Sequence, residues 1–75
     1  MYRIIRLQQA NDLRDFMNLA CHSPYDVGVH TENNQIADAK SILGLMALDY
    51  DKGVKVVTED VEFLKKLDRW AVSEE

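Results

Sequence analysis

The sequence predicts a two-layer α/β (α+β) sandwich with the element order β-α-β-β-α-β-α. Three observations carry this expectation. Short segments rich in β-branched residues alternate as half-covered strands do, other segments space their apolar residues as amphipathic helices do, and 75 residues leave room for one core and one domain, residues 1–75. Each amphipathic helix needs an apolar surface to lie against, so this order implies an antiparallel-rich sheet covered on one side by helices.

The first strand is read over residues 2–7, YRIIRL, where β-branched and aromatic side chains partly alternate. A first helix follows from Leu13 to Ala20, with Leu13, Phe16, Met17 and Ala20 on one face and Asp12 or Asn11 as its N-cap. Ser23-Pro24 ends it, because proline biases the preceding residue away from helical geometry. In DVGVHT, residues 26–31, Val27, Val29 and Thr31 fall on one face, and ENN before QIA reads as a hairpin turn into a third strand. Ser41 opens a second helix. After an Asp51-Lys52-Gly53 turn, VKVVT alternates again as the fourth strand. Thr58 or Asp60 caps a last helix on which Phe63, Leu64, Leu67, Trp70 and Ala71 share a face.

Composition narrows the function classes. The chain is 47% hydrophobic and 29% charged with three glycines and one proline, a globular rather than disordered balance. Nine Lys plus Arg against thirteen Asp plus Glu give a net charge of -4, which argues against a nucleic-acid partner. The lone Cys21 precludes an internal disulfide, and without a second cysteine or a spaced histidine pair no metal site or cofactor is expected. The N-terminal MYRIIRLQQAND has too few apolar residues for a signal peptide and no run approaches a membrane span, so a cytoplasmic location without a membrane partner is expected. Isolated residues receive structural readings. Cys21 should pack as a small hydrophobe, His22 should suit the C-terminal end of the first helix, and His30 should sit on a strand beside the hairpin. Trp70 is read as core or rim packing, Lys65, Lys66, Asp68 and Arg69 as a charged face, and the terminal Ser-Glu-Glu as a solvated tail.

The stretch DAKSILGLMALDYDKG, residues 38–53, carries the functional signal. Ser41 stands where its hydroxyl can accept from an early helical N–H. Behind it, Ile42, Leu43, Leu45, Met46 and Leu48 offer more apolar surface than one sheet contact can bury. At about 100° per residue, Leu45 and Leu48 fall on one side while Leu43 and Met46 fall on another. A loop or a second copy of the chain could cover that second side, and a Met-bearing apolar patch also suits a surface that docks several partners.

The run AKSILGLMAL, followed by DKG, an alternating strand and an acid-capped last helix, resembles the histidine-containing phosphocarrier (HPr) family of the bacterial phosphotransferase system. That family has an open-faced β-sandwich with three helices. The resemblance implies that Ser41 is the site of a regulatory serine kinase and that Lys40, Ile42, Leu43 and Met46 contact partner proteins. The family's phospho-accepting Gly-x-His-Ala-Arg-Pro motif is absent: the corresponding region reads RLQQANDL, with Gln9 at the histidine position. An amide cannot accept a phosphoryl group as imidazole does, and Asp12 would repel phosphate there, so no catalytic residue and no enzyme activity are expected. His22 and His30 lie outside this loop and make poor acceptors. Arg14 is the residue that could partly replace the missing arginine. Gln9-Ala10 resembles the Gln-Ala pair of the catabolite-repression paralogue of HPr, although that paralogue keeps the arginine and proline. The implied function is a regulatory binding protein of carbon catabolite repression, with an HPr serine kinase, a transcriptional regulator or phosphotransferase-system components as partners. The alternative is a diverged structural or assembly protein whose apolar helix is buried in a homodimer.

Overall fold

The structure is a computed structural model and describes residues 1–50 and 52–72. The expected turn residue Asp51 and the Ser73-Glu74-Glu75 tail lie outside the described residues. The elements run β1 Tyr2–Ile5, α1 Ala10–Cys21, β2 Val27–His30, β3 Ile36–Asp38, α2 Ile42–Met46, β4 Val54–Thr58 and α3 Val61–Lys65, with a single 3-10 turn at Asp68–Trp70. It is a small mixed α/β domain. The four strands form one antiparallel sheet in the order β1-β4-β2-β3.

Register decides which residues meet the helices. Val54, Val56 and Thr58 of β4 alternate inward; Val56 is paired with Arg3 on one side and Val29 on the other, and Thr58 stands opposite Val27. These side chains join Ile5, Phe16, Ala20, Leu45, Phe63, Leu67 and Trp70 in one buried core. The opposite face carries Tyr2, Ile4, Gly28, His30, Lys55 and Val57, none of them buried. The helices therefore cover one face only. At the hairpin between β2 and β3, Asn34 takes φ 66, a left-handed conformation that asparagine tolerates better than most residues.

The sequence placed the elements but mistook several ends. Helix α1 starts three residues earlier than expected, with Gln9 rather than Asp12 or Asn11 as N-cap and Asp12 in the first turn. Of the two caps weighed for the last helix, Asp60 is the N-cap: Oδ1 accepts from Phe63 N at 3.0 Å, while Oδ2 accepts from Ser23 Oγ at 2.6 Å. Ser41 caps α2 as expected. The last helix does not run through to Ala71. Arg3 Nη1 donates to Leu64 O at 2.8 Å and Arg3 pairs with Asp68 at 2.7 Å, so helix α3 is closed off after one turn and a half. Ala71 is extended and bridges to Ile5, where Arg6 N donates to Trp70 O and Val72 N to Ile4 O. These bonds cover part of the outer edge of β1, which would otherwise be a template for unwanted pairing. Cys21 is exposed, not packed, because it follows buried Ala20 by one position and so turns about 100° off the buried stripe.

Phe16 sits at the centre of this packing, fully buried, with ring centroids 6.0 Å from Phe63 and 6.2 Å from Trp70, the latter edge-on. It joins α1, α3 and the 3-10 turn. Phe16→Ala is expected to cost about 3–5 kcal/mol, against a total of about 4–11 kcal/mol for a domain of this size. Urea denaturation should then show a transition at a much lower concentration or none at all.

Candidate functional site

The N-terminus of α1 and the exposed side of α2 face each other across a groove of about 430 Å³ lined by Leu7, Gln8, Gln9, Leu13, Arg14, Ile42, Met46 and Tyr50. Its two walls have different chemistry. One is a helix N-terminus with a carboxylate of the chain folded over its cap, and the other is an exposed apolar surface.

At the α1 end, Gln9 is extended, with φ -119 and ψ 154, and Asp12 folds back over it. The Asp12 Oδ2 atom accepts from both Gln8 N and Gln9 N at 3.2 Å, supplying part of a capping box. Arg69 Nη2 lies 3.4 Å from Asp12 Oδ1 and 3.1 Å from Asp15 Oδ2. Its guanidinium is also 4.3 Å from the Trp70 ring centroid. Burial would raise the Asp12 pKa, but hydrogen bonds from the Trp70 side chain, the Gln9 and Gln8 amides and Arg69 together outweigh it and hold the carboxyl below its ordinary value. A carboxylate of the chain itself thus stands at this helix start, bonded to the cap amide, where it would repel an incoming anion. Arg69, which the sequence left on a charged face, is the arginine that reaches this site. Arg14 lies instead on the groove wall, exposed beside Ile42 and Met46.

At the start of α2, just outside the groove lining, Ser41 is exposed, and its Oγ accepts from Gly44 N at 3.3 Å. Leu45 is fully buried, whereas Leu43 is 81% exposed, Met46 65% and Ile42 40%. Helical phase divides the run as the sequence indicated. Lys40, the fourth expected contact residue, is half-buried, and its Nζ donates to Ser23 O at 2.8 Å, which anchors the entry of α2 to the end of α1. Ser23 is a junction the sequence did not reveal, since its Oγ also donates to the Asp60 cap and accepts from Tyr25 N at 3.2 Å. Tyr50 was missed as well. Its hydroxyl donates to Leu45 O at 2.7 Å, and burial pushes its pKa up to about 12, so the last turn of α2 is held by a neutral phenol.

No family model, curated protein or solved structure matches this chain. Among the described residues no cluster of His, Cys, Asp or Glu could hold a metal ion, and no helix is long and apolar enough to cross a membrane. His22 Nδ1 lies 2.7 Å from Asn18 O at the C-cap of α1, and His30 sits on β2; neither is at the groove.

Two neighbouring leucines test the phase of α2. Leu43→Asp should change folding stability by no more than about 0.5 kcal/mol, while Leu45→Ala should cost about 2–5 kcal/mol, both read from chemical denaturation.

Asp12 gives a pH signature. The folded state holds its proton less tightly than the unfolded chain, whose carboxyl titrates at the ordinary value of 3.8. Its stabilising contribution is therefore present above that pH and fades as pH falls through the lower folded value. Thermal unfolding of Asp12→Asn should accordingly be less stable than the parent near neutrality, and the gap should close on acidification.

Proposed function

We propose that this chain is an HPr-like regulatory binding protein that docks partner proteins through α2 and transfers no phosphoryl group, with phosphorylation of Ser41 as its switch. The observation that carries the proposal is the adjacency of a solvent-exposed cap hydroxyl, Ser41, to three exposed apolar side chains, Ile42, Leu43 and Met46. The two-layer sheet with an uncovered face and three helices is compatible with the HPr version of this architecture. The α1 terminus supports the loss of phosphotransfer, since Gln9 offers an amide rather than an imidazole and the Asp12 carboxylate folded over the cap would repel a phosphate.

A phosphate on Ser41 would add about -1.5 to -2 charges at the start of α2. It would leave the burial of Leu45 unaltered and place that charge beside Ile42, Leu43 and Met46. A surface that was apolar becomes apolar with an anionic edge, suited to a partner that offers an apolar pocket flanked by arginine or lysine. A homodimer buried on this helix is the competing arrangement, but a stable one would need about 800 Å² per protomer, more than three side chains provide.

Intact mass spectrometry separates the readings. Incubation with ATP and an HPr serine kinase should add one phosphate that Ser41→Ala abolishes, and incubation with phosphoenolpyruvate and the first enzyme of the phosphotransferase system should add none. No phosphate from the kinase, or a phosphate retained in Ser41→Ala, sinks the switch. A dimer mass in sedimentation equilibrium that Leu43→Asp converts to monomer would replace the docking role with assembly.

A further inference from the structure

The chain has three methionines, and burial separates them. Met17 on α1 is half-buried and packs against the core, Met1 is 66% exposed beside the first strand, and Met46, the last residue of α2, is 65% exposed. Met46 belongs neither to the buried core nor to the side chains packed on it, whereas its neighbour Leu45 is fully buried there. Its companions on the exposed side, Ile42 and Leu43, are hydrocarbon and inert. The thioether is therefore the reactive group of the patch.

A thioether is apolar and soft, which suits a docking surface. Oxidised, it becomes a polar and chiral sulfoxide. At Met46 that change asks nothing of the core, yet it sets a strong hydrogen-bond acceptor among apolar groups that a partner has to desolvate. At Met17 the same oxygen would have to enter the packing of α1 on the core.

We propose that Met46 is a reversible oxidation site that turns the α2 patch from apolar to polar, a second control at the opposite end of the helix from Ser41. The control rests on the docking role proposed for α2, whereas the oxidation site does not. In the forward step a lone pair of Met46 Sδ attacks one oxygen of a hydroperoxide, the O–O bond breaks, and the proton ends on the departing oxygen as water or an alcohol. Sulfur is oxidised and the peroxide reduced. In the reverse step two thiols become a disulfide, the sulfoxide oxygen leaves as water, and the thioether is restored.

Hydrogen peroxide treatment of the full chain followed by tryptic mapping tests the site. Cleavage after Arg3, Arg14, Lys40 and Lys52 puts Met1, Met17 and Met46 on separate peptides. Met46 should gain one oxygen about tenfold faster than Met17, at a rate matching Met1, and methionine sulfoxide reductases with dithiothreitol should remove it. The chain oxidised at Met46 should keep its urea transition and elute earlier from a phenyl column than the untreated chain. Unoxidised Met46→Gln, a polar mimic, should do the same, and Met46→Leu should lose most of the peroxide-dependent change in elution. Met17 oxidised as fast as Met46, an oxygen that the reductases leave in place, loss of the urea transition, or an undiminished elution change in Met46→Leu overturns the proposal. These readouts use neither kinase nor partner, so a failure to phosphorylate Ser41 overturns the proposed switch and leaves this result standing.

Discussion

A chain of this length makes enough helix to cover one face of a four-stranded sheet and no more. Twelve residues of α1 reach about 18 Å, and α2 and α3 have five residues each. All three lie on the side of Val27, Val29, Val54 and Val56, where the burial of apolar surface supplies the main force for folding. The other side of β1, β4 and β2 is therefore half-solvated by necessity. Its residues answer to different demands, and that is why a tyrosine, a lysine and a histidine can stand together there, while the core face carries valine, isoleucine and threonine with Arg3 at the β1 edge.

Economy of helix also explains the ends. Helix α3 is short because Arg3 takes the Leu64 carbonyl and Asp68, and the chain then needs an extended run to reach the edge of β1. The aromatic cluster of Phe16, Phe63 and Trp70 holds that turn against α1. From Trp70 the contact passes outward to Arg69, and from Arg69 to Asp12 and Asp15. Core packing thus orients the one guanidinium seen to meet the carboxylate over the α1 terminus. The exposed ion pairs contribute little singly, but a pair anchored by a buried ring keeps its geometry.

Local pattern was legible and distant pairing was not. Val27, Val29 and Thr31 were assigned to one face from alternation alone, and Leu45 was separated from Leu43 and Met46 by helical phase, since both depend on spacing within one element. Ser41 was recognisable from the cap chemistry that follows it. Spacing alone allows Asp12 or Asn11 as the cap of α1, because an aspartate satisfies helix-start donors from the cap or the first turn, and the choice depends on how the preceding loop leaves β1. Arg69, Ser23 and Tyr50 left no local signal. Arg69 and Ser23 act on residues far along the chain, Asp12 and Asp60, and Tyr50 bonds the carbonyl of a helix it does not belong to. The insertion of β4 between β1 and β2 belongs to the same class of information.

The second helix is the element on which structure and function pull differently. Buried Leu45 and the Tyr50 hydroxyl fix it from beneath, while the 3.3 Å bond from Gly44 N to Ser41 Oγ is long and solvent-exposed, hence a weak part of what holds the helix. A change at Ser41 therefore has little leverage on the fold and full effect on the surface. If the hydroxyl were the main support of α2, modifying it would unfold Ile42, Leu43 and Met46 along with the cap. Because support comes from Leu45, Tyr50 and the Lys40 tether to Ser23, charge can be added at the cap while Ile42, Leu43 and Met46 stay where they are.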